Sequence, residues 1–311
     1  MDSLKIKQVV IWGHKLHSHT HSYIHYGFYK GFKHLGYKTI WLDDDPINNN
    51  SYDYSDALFI TEGQVDSNIP ILNNCYYLLH NCDLDKYKNT NKNIKILLLQ
   101  VYTNDCLKIP LIKMIDRYIY YNVYSEFPIL YMPWATDLLP EEIDKNIINI
   151  EENVLNKNSN IVSFVGMVTG EWLKVRLFCI FNNLRFDSVG GFSGVNVEPE
   201  MNQSLMQDSF MAPAIQTEWQ VSKGYIPCRI FKNISYGKMG ITNNQTVAEL
   251  FNGNIIYNSN ILKSLEMGIA FEKENKEYKK AKILYLMEYI KIKHTYLNRI
   301  KVILNCFTDK C

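Results

Sequence analysis

No run of this chain approaches the about 18 or more consecutive apolar residues of a membrane-spanning helix. The apolar stretch near the amino terminus, within MDSLKIKQVVIWGH, is too short for a secretion signal. An excess of charge is missing too. With 33 basic against 32 acidic residues the formal net charge is +1, so no global field recruits nucleic acid or an anionic membrane. CxxC pairs are absent, and the 7 cysteines (Cys75, Cys82, Cys106, Cys179, Cys228, Cys306, Cys311) are scattered and odd in number. That argues against a disulfide framework or a structural zinc ribbon and for a reducing, cytoplasmic setting. The sequons at Asn49, Asn202, Asn233 and Asn244 are then incidental.

What is present is core material. The 311 residues are 47% hydrophobic and 21% charged, enough for two globular domains rather than one. Residues 5–12 read as a buried strand ending at Gly13. A helix from about Thr20 to Leu35 follows, stopped by Gly36, and then a second strand ending in Asp43-Asp44-Asp45. Further short apolar runs, Ala57–Ile60, Tyr76–Leu79 and Ile96–Val101, each end in a polar cluster. Strands alternating with helices at this spacing predict a doubly wound α/β sheet, in which ligands bind beyond the carboxyl ends of the strands. The pattern starts afresh at Ile161–Gly166. This predicts an amino-terminal Rossmann-like domain over 1–145 and a carboxy-terminal one over 146–311, closed by one or two amphipathic helices between Lys276 and Cys306 that are free to pack back on the first domain.

Five of the 8 histidines fall within residues 14–25: His14, His17, His19, His21 and His25. His17-x-His19 after a first strand is how several metal-dependent hydrolases begin, but such enzymes need further ligands at later strand ends. Only His34, His80 and His294 remain, so no metal is expected. His17 and His21 read instead as acceptor-binding residues and His19 as a candidate base, beside the plainer reading of helix caps and packing. Glu62 and Asp105, each in a polar cluster after a strand, are the other candidate bases; either can equally cap a following helix.

The stretch 210–251 predicts strand, loop, a helix opening at Pro227, a stop at Gly237, a second strand and another helix. Arg229 and Lys232 fall in that first helix's opening turn, where the dipole disfavours cations unless an anion is bound. With free N–H groups beside them they suit a diphosphate, and the alternative is a solvated helix face. Gly166 to Gly170 is a second phosphate-compatible loop, or a plain strand-to-helix turn.

On four segments the chain resembles glycosyltransferases of the GT-B type, in particular the group 1-like and spore-maturation-protein-like enzymes. These are HLGYKTIWLD, LYMPWATD, IVSFVGMVTGEW and RIFKNISYGKMGITNN; the closing HTYLNRIKVIL is similar as well. The resemblance implies two Rossmann-like domains facing across a cleft, with acceptor in the first and nucleotide-sugar donor in the second. It also implies no cofactor or metal, because basic side chains and a helix start stabilise the leaving diphosphate. Arg229 and the Gly237 turn map onto that donor site; Gly166, Lys232, Ser235, Thr242 and Asn243 read as further donor-side residues, with Glu249 a candidate ribose carboxylate. One departure stands out: the two glutamates eight residues apart in many retaining members correspond here to Gly224 and Lys232. The expected activity is transfer of a hexose or deoxyhexose to a glycan or lipid-linked acceptor. The alternatives are a metal-dependent hydrolase built on His17, His19 and His21, and an inactive nucleotide-sugar-binding module.

Overall fold

Burial on both faces makes Gln8–Trp12 a central strand, and the computed structural model, which describes residues 5–15, 20–106, 109, 112–152, 159–168, 170–190 and 197–308, places it so. The elements of the first half are β1 (Gln8–Trp12), α1 (Thr20–His34), β2 (Lys38–Leu42), β3 (Ala57–Glu62), β4 (Tyr76–His80), α2 (Asp85–Lys88), β5 (Lys95–Gln100), α3 (Thr103–Cys106), β6 (Lys113–Asp116), β7 (Ile119–Asn122) and β8 (Ile129–Tyr131). They form one sheet in the order β2-β1-β3-β4-β5-β8-β7-β6, parallel as far as β8 and antiparallel beyond. The chain leaves β1 to one side and returns to β3 on the other, so the switch point lies between the carboxyl ends of β1 and β3. The β6–β7 hairpin is an addition to the expected pattern. It turns on Arg117-Tyr118, with Tyr118 at φ 60°, rather than on the Asn-Gly or Asp-Gly pair that announces a hairpin in sequence.

The second half holds α4 (Pro140–Glu152), β9 (Ile161–Val165), α5 (Glu171–Phe181), β10 (Arg185–Val189), α6 (Pro199–Gln207), α7 (Glu218–Ser222), α8 (Cys228–Ser235), β11 (Ile241–Thr242), α9 (Gln245–Leu250), β12 (Ile256–Tyr257), α10 (Ile261–Glu272), α11 (Lys276–Lys293) and α12 (Tyr296–Phe307). Strands β9 and β10 pair in parallel, as do β11 and β12. Residues 210–214 join the two pairs: Phe210 N–H donates to Ile161 O at 2.7 Å, Ser163 N–H to Met211 O at 3.1 Å and Ala214 N–H to Ile241 O at 2.8 Å. The resulting order, β10, β9, 210–214, β11, β12, repeats that of β2-β1-β3-β4-β5 in the first sheet, with its switch point between β9 and 210–214.

The chain divides into two units, one of residues 1–133 with 296–311 and one of 134–295. The division falls between Pro133 and Trp134; residue 145, the boundary expected from sequence, lies inside α4 of the second unit. The closing amphipathic stretch is two helices split at His294-Thr295, and the second of them, α12, belongs to the first unit. Its docking explains two glycines inside α1. A Cβ at Gly27 would stand 2.2 Å from the Tyr296 ring, and one at Gly31 2.7 Å from Ile300 Cδ1. An adjoining stripe of α1 buries Ile24, Phe28 and Phe32 at helical spacing, Phe28 lying edge-on to the same Tyr296 ring at 4.7 Å, each side chain adding about 1.5–3 kcal/mol.

Candidate functional site

In the first unit, chemistry gathers at the switch point. Gly13 follows β1 at φ 87°, and a Cβ there would overlap Val65 at 2.1 Å, so only glycine lets the β1 turn close on the β3 loop. The Gly13 carbonyl accepts from His25 Nδ1 at 2.8 Å and from Trp41 Nε1 at 2.9 Å. Thus held, the turn sets His14 in a left-handed conformation, φ 60°, with its Nε2 3.0 Å from Glu62 Oε2 at the end of β3. The same Glu62 oxygen accepts from Gln64 N–H at 3.1 Å. His21, in the first turns of α1, stacks on His14 with ring centroids 5.5 Å apart and faces His80 at 5.4 Å. One ligand-capable atom from each of His14, His21 and Glu62 lies within 4.8 Å of the others.

The electrostatics of this group are divided. Burial pushes the Glu62 carboxyl up, but the His14 hydrogen bond, the Gln64 N–H and the nearby His14 and His80 rings together carry it below the usual carboxylate range. His80 is lowered by burial against the pull of the Leu99 carbonyl, which its Nδ1 meets at 3.0 Å. His25 is driven down to about 3, again by burial, with the Gly13 hydrogen bond opposing. The cluster therefore offers a carboxylate set among imidazoles, an arrangement that can take a proton or hold a cation.

In the second unit, Arg229 is the second residue of α8, whose first turn has Pro227 as N-cap and no side-chain cap. Its guanidinium lies 3.9 Å over the Phe164 ring while Nε donates to Val165 O at 3.1 Å. Gly166 makes this possible, since a Cβ there would stand 2.4 Å from Arg229 Nη2. Among the described residues no partner is assigned to the terminal amino groups of Arg229. Lys232, one turn on, is only 6% exposed and faces Asp137, whose two carboxylate oxygens accept from Tyr236 at 2.7 and 2.9 Å. Burial lowers the Lys232 ammonium and Asp137 works against that shift.

The other expected donor residues sit deeper. Ser235 and Thr242 are 0% exposed; Ser235 Oγ bonds Thr136 Oγ1 and Lys232 O, and Thr242 Oγ1 accepts from Asn244 N–H. Asn243 bonds the Gln216 backbone in both directions at 2.9 Å, and Asn244 Nδ2 donates to Gln216 Oε1 and Tyr225 O. These amides hold the 214–217 loop in place at the carboxyl edge of the sheet. Glu249 is exposed on α9 and bonds Gln245. Asp105, in α3 beyond β5, is separated from Glu62 by β4 in the sheet, so the two carboxylates do not occupy neighbouring strand ends. His17 and His19 lie outside the described residues.

Two contacts exist only in the tertiary structure: His14 pairs with Glu62 through the β1–β3 adjacency, and Phe164 is the platform for Arg229. Arg229, an uncompensated cation by helix position alone, is partly compensated by that ring and the Val165 carbonyl.

No family model and no curated protein matches the sequence. Among solved structures the chain is similar to an alpha-glucosyltransferase (AGT) in complex with UDP, at TM-score 0.56 and 8% identity over 93% of this chain and 96% of that one. It is also similar to the trehalose-6-phosphate phosphatase N-terminal domain of Candida albicans, at TM-score 0.51 and 8% identity, covering 100% of this chain and 98% of that one. At this identity the likeness is one of fold, and the fold is an α/β architecture of the GT-B kind. No helix among the described residues is long and apolar enough to cross a membrane.

Proposed function

We propose that the chain transfers a hexose or deoxyhexose from a nucleoside-diphosphate sugar to a glycan or lipid-linked acceptor. The observation that carries this reading is Arg229, held on Phe164 at the mouth of β9 with its terminal amino groups available at an uncapped helix start. Such a group can clamp a diphosphate with two charge-assisted hydrogen bonds, each worth about 1.5–3 kcal/mol, and stabilise the charge that develops as the sugar departs. Lys232 supports it from behind as a second positive charge. The fold's glucosyltransferase neighbour is in complex with UDP, which supports a nucleotide as the ligand class. The His14–Glu62 pair takes the proton of the acceptor hydroxyl, with His21 beside it to orient the acceptor.

A thermal-shift screen of UDP, GDP, dTDP and CMP sugars tests the reading. One nucleotide should stabilise the protein by about 2.7 kcal/mol at 100 times its dissociation constant. Turnover of that donor should fall about 10²–10⁴-fold in Glu62→Gln with nucleotide affinity retained. Absence of any nucleotide effect sinks the proposal; binding without donor turnover by the wild type reduces it to a nucleotide-sugar-binding module.

A further inference from the structure

The first-unit switch point gathers more ligand chemistry than a proton transfer needs. We infer that His14, His21 and Glu62 form a binding site for one divalent transition-metal ion of the zinc class. Three donors are contributed by three separate pieces of backbone: the β1 turn, the start of α1 and the end of β3. In a tetrahedral zinc site with bonds of about 2.0–2.1 Å, neighbouring donor atoms stand about 3.3 Å apart. The His14 Nε2 to Glu62 Oε2 separation of 3.0 Å is already close to that, and all three donors fall within 4.8 Å. His14 and Glu62 are buried and His21 is half-buried, and three protein donors leave the fourth tetrahedral position open to a further ligand. Two imidazoles and one carboxylate favour zinc, cobalt or ferrous iron over magnesium or calcium, which take oxygen ligands.

The surrounding residues fit an outer layer rather than further ligands. His80 turns Nδ1 to the Leu99 carbonyl and Nε2 to the Asn81 side-chain amide. His25 spends Nδ1 on Gly13 O, and Gln64 N–H fixes the Glu62 carboxylate. Of these, the Gln64 N–H bonds a ligand directly, a contact of the kind that orients metal ligands. The sequence pattern pointed away from a metal because later histidines were too few; the missing ligand is Glu62, which β1–β3 pairing delivers. Binding of the ion stands on this geometry alone. Its use rests on the transfer reading: with the ion bound, an acceptor hydroxyl at the open position becomes more acidic, as metal-bound water does.

The test uses the full chain stripped with chelator and titrated with Zn²⁺ by calorimetry and with Co²⁺ by visible absorption. One equivalent per chain is expected, with cobalt bands of low coordination number. His21→Ala and Glu62→Gln should each weaken binding more than about a hundredfold, since even outer-layer losses cost about 10–100-fold. His34→Ala, on the exposed end of α1, should bind as wild type. Circular dichroism confirms that each variant is folded, and if one is not, the other decides. Substoichiometric binding by the wild type overturns the inference. So does binding that survives both substitutions, or that is lost in His17→Ala/His19→Ala while Glu62→Gln retains it. UDP affinity measured on the same samples separates this from the transfer reading: metal failure with nucleotide bound leaves transfer standing, and the converse leaves the metal site standing.

Discussion

At the scale of single residues, Arg229 bears on binding and stability at once. Loss of its stacking on Phe164 removes about 0.5–2 kcal/mol, partly offset by taking a cation from the positive end of α8. Arg229→Ala should therefore lower stability by about 1 kcal/mol while weakening nucleoside-diphosphate binding about tenfold or more, read by denaturant melts and calorimetry on one preparation. Equal nucleotide affinity in the two proteins would make Arg229 a structural pin. His25 carries a separate expectation. Its folded pKa of about 3 lies below the ordinary 6.5, so the unfolded chain binds the extra proton first. The stability it contributes is complete above pH 6.5 and falls as pH drops from 6.5 toward 3, by about 1.4 kcal/mol per pH unit at the steepest. In chelator, His25→Asn should flatten that acid limb of the stability profile. An unchanged limb would assign it to other groups.

At the scale of elements, the glycine pair of α1 is the clearest device. Glycine inside a helix costs about 1 kcal/mol relative to alanine, so Gly27 and Gly31 would be unexpected in a helix that packed only on its sheet. They are explained by α12, whose Tyr296 and Ile300 occupy the space two side chains would need. Gly27→Ala should gain helix propensity yet lose about 1–3 kcal/mol net from overpacking against the buried Tyr296 ring, seen as a lowered melting temperature. Restoration by Tyr296→Leu in the same chain would confirm the contact; stabilisation by Gly27→Ala alone would refute it. The buried amides of Gln216, Asn233, Asn243 and Asn244 act similarly in the second unit, tying loop 212–217 to the strand ends.

At the scale of the molecule, the strand order of the second unit repeats that of the first five strands of the first sheet, and each unit carries charged groups at its own switch point. That symmetry predicts a division of labour. Hydrogen exchange with a saturating nucleoside diphosphate should protect amides around 165–167 and 227–232 and leave those at 13–14 and 62–64 unchanged. Zn²⁺ should do the reverse. Nucleotide protection centred on 13–14 and 62–64 would reverse the assignment of donor and acceptor sides.

Local pattern carried most of the architecture. Apolar runs ending in polar clusters, at α/β spacing and begun twice, are legible because hydrophobic periodicity and glycine stops are properties of neighbouring residues. Spacing placed Arg229 in the first turn after Pro227, whereas Lys232 falls in the last turn of that helix, buried beside Asp137. What depends on strands meeting was not legible. His14 and Glu62 are 48 residues apart and become partners only because β3 returns beside β1. Gly166 reads in sequence as a phosphate loop or a plain strand-to-helix turn, and nothing local shows that Arg229, folded back from α8 across the Phe164 ring, takes the space a side chain there would fill. Sequence spacing determines which groups an element can present; the order in which strands pair decides which of them meet, and here that order assembles both charged sites.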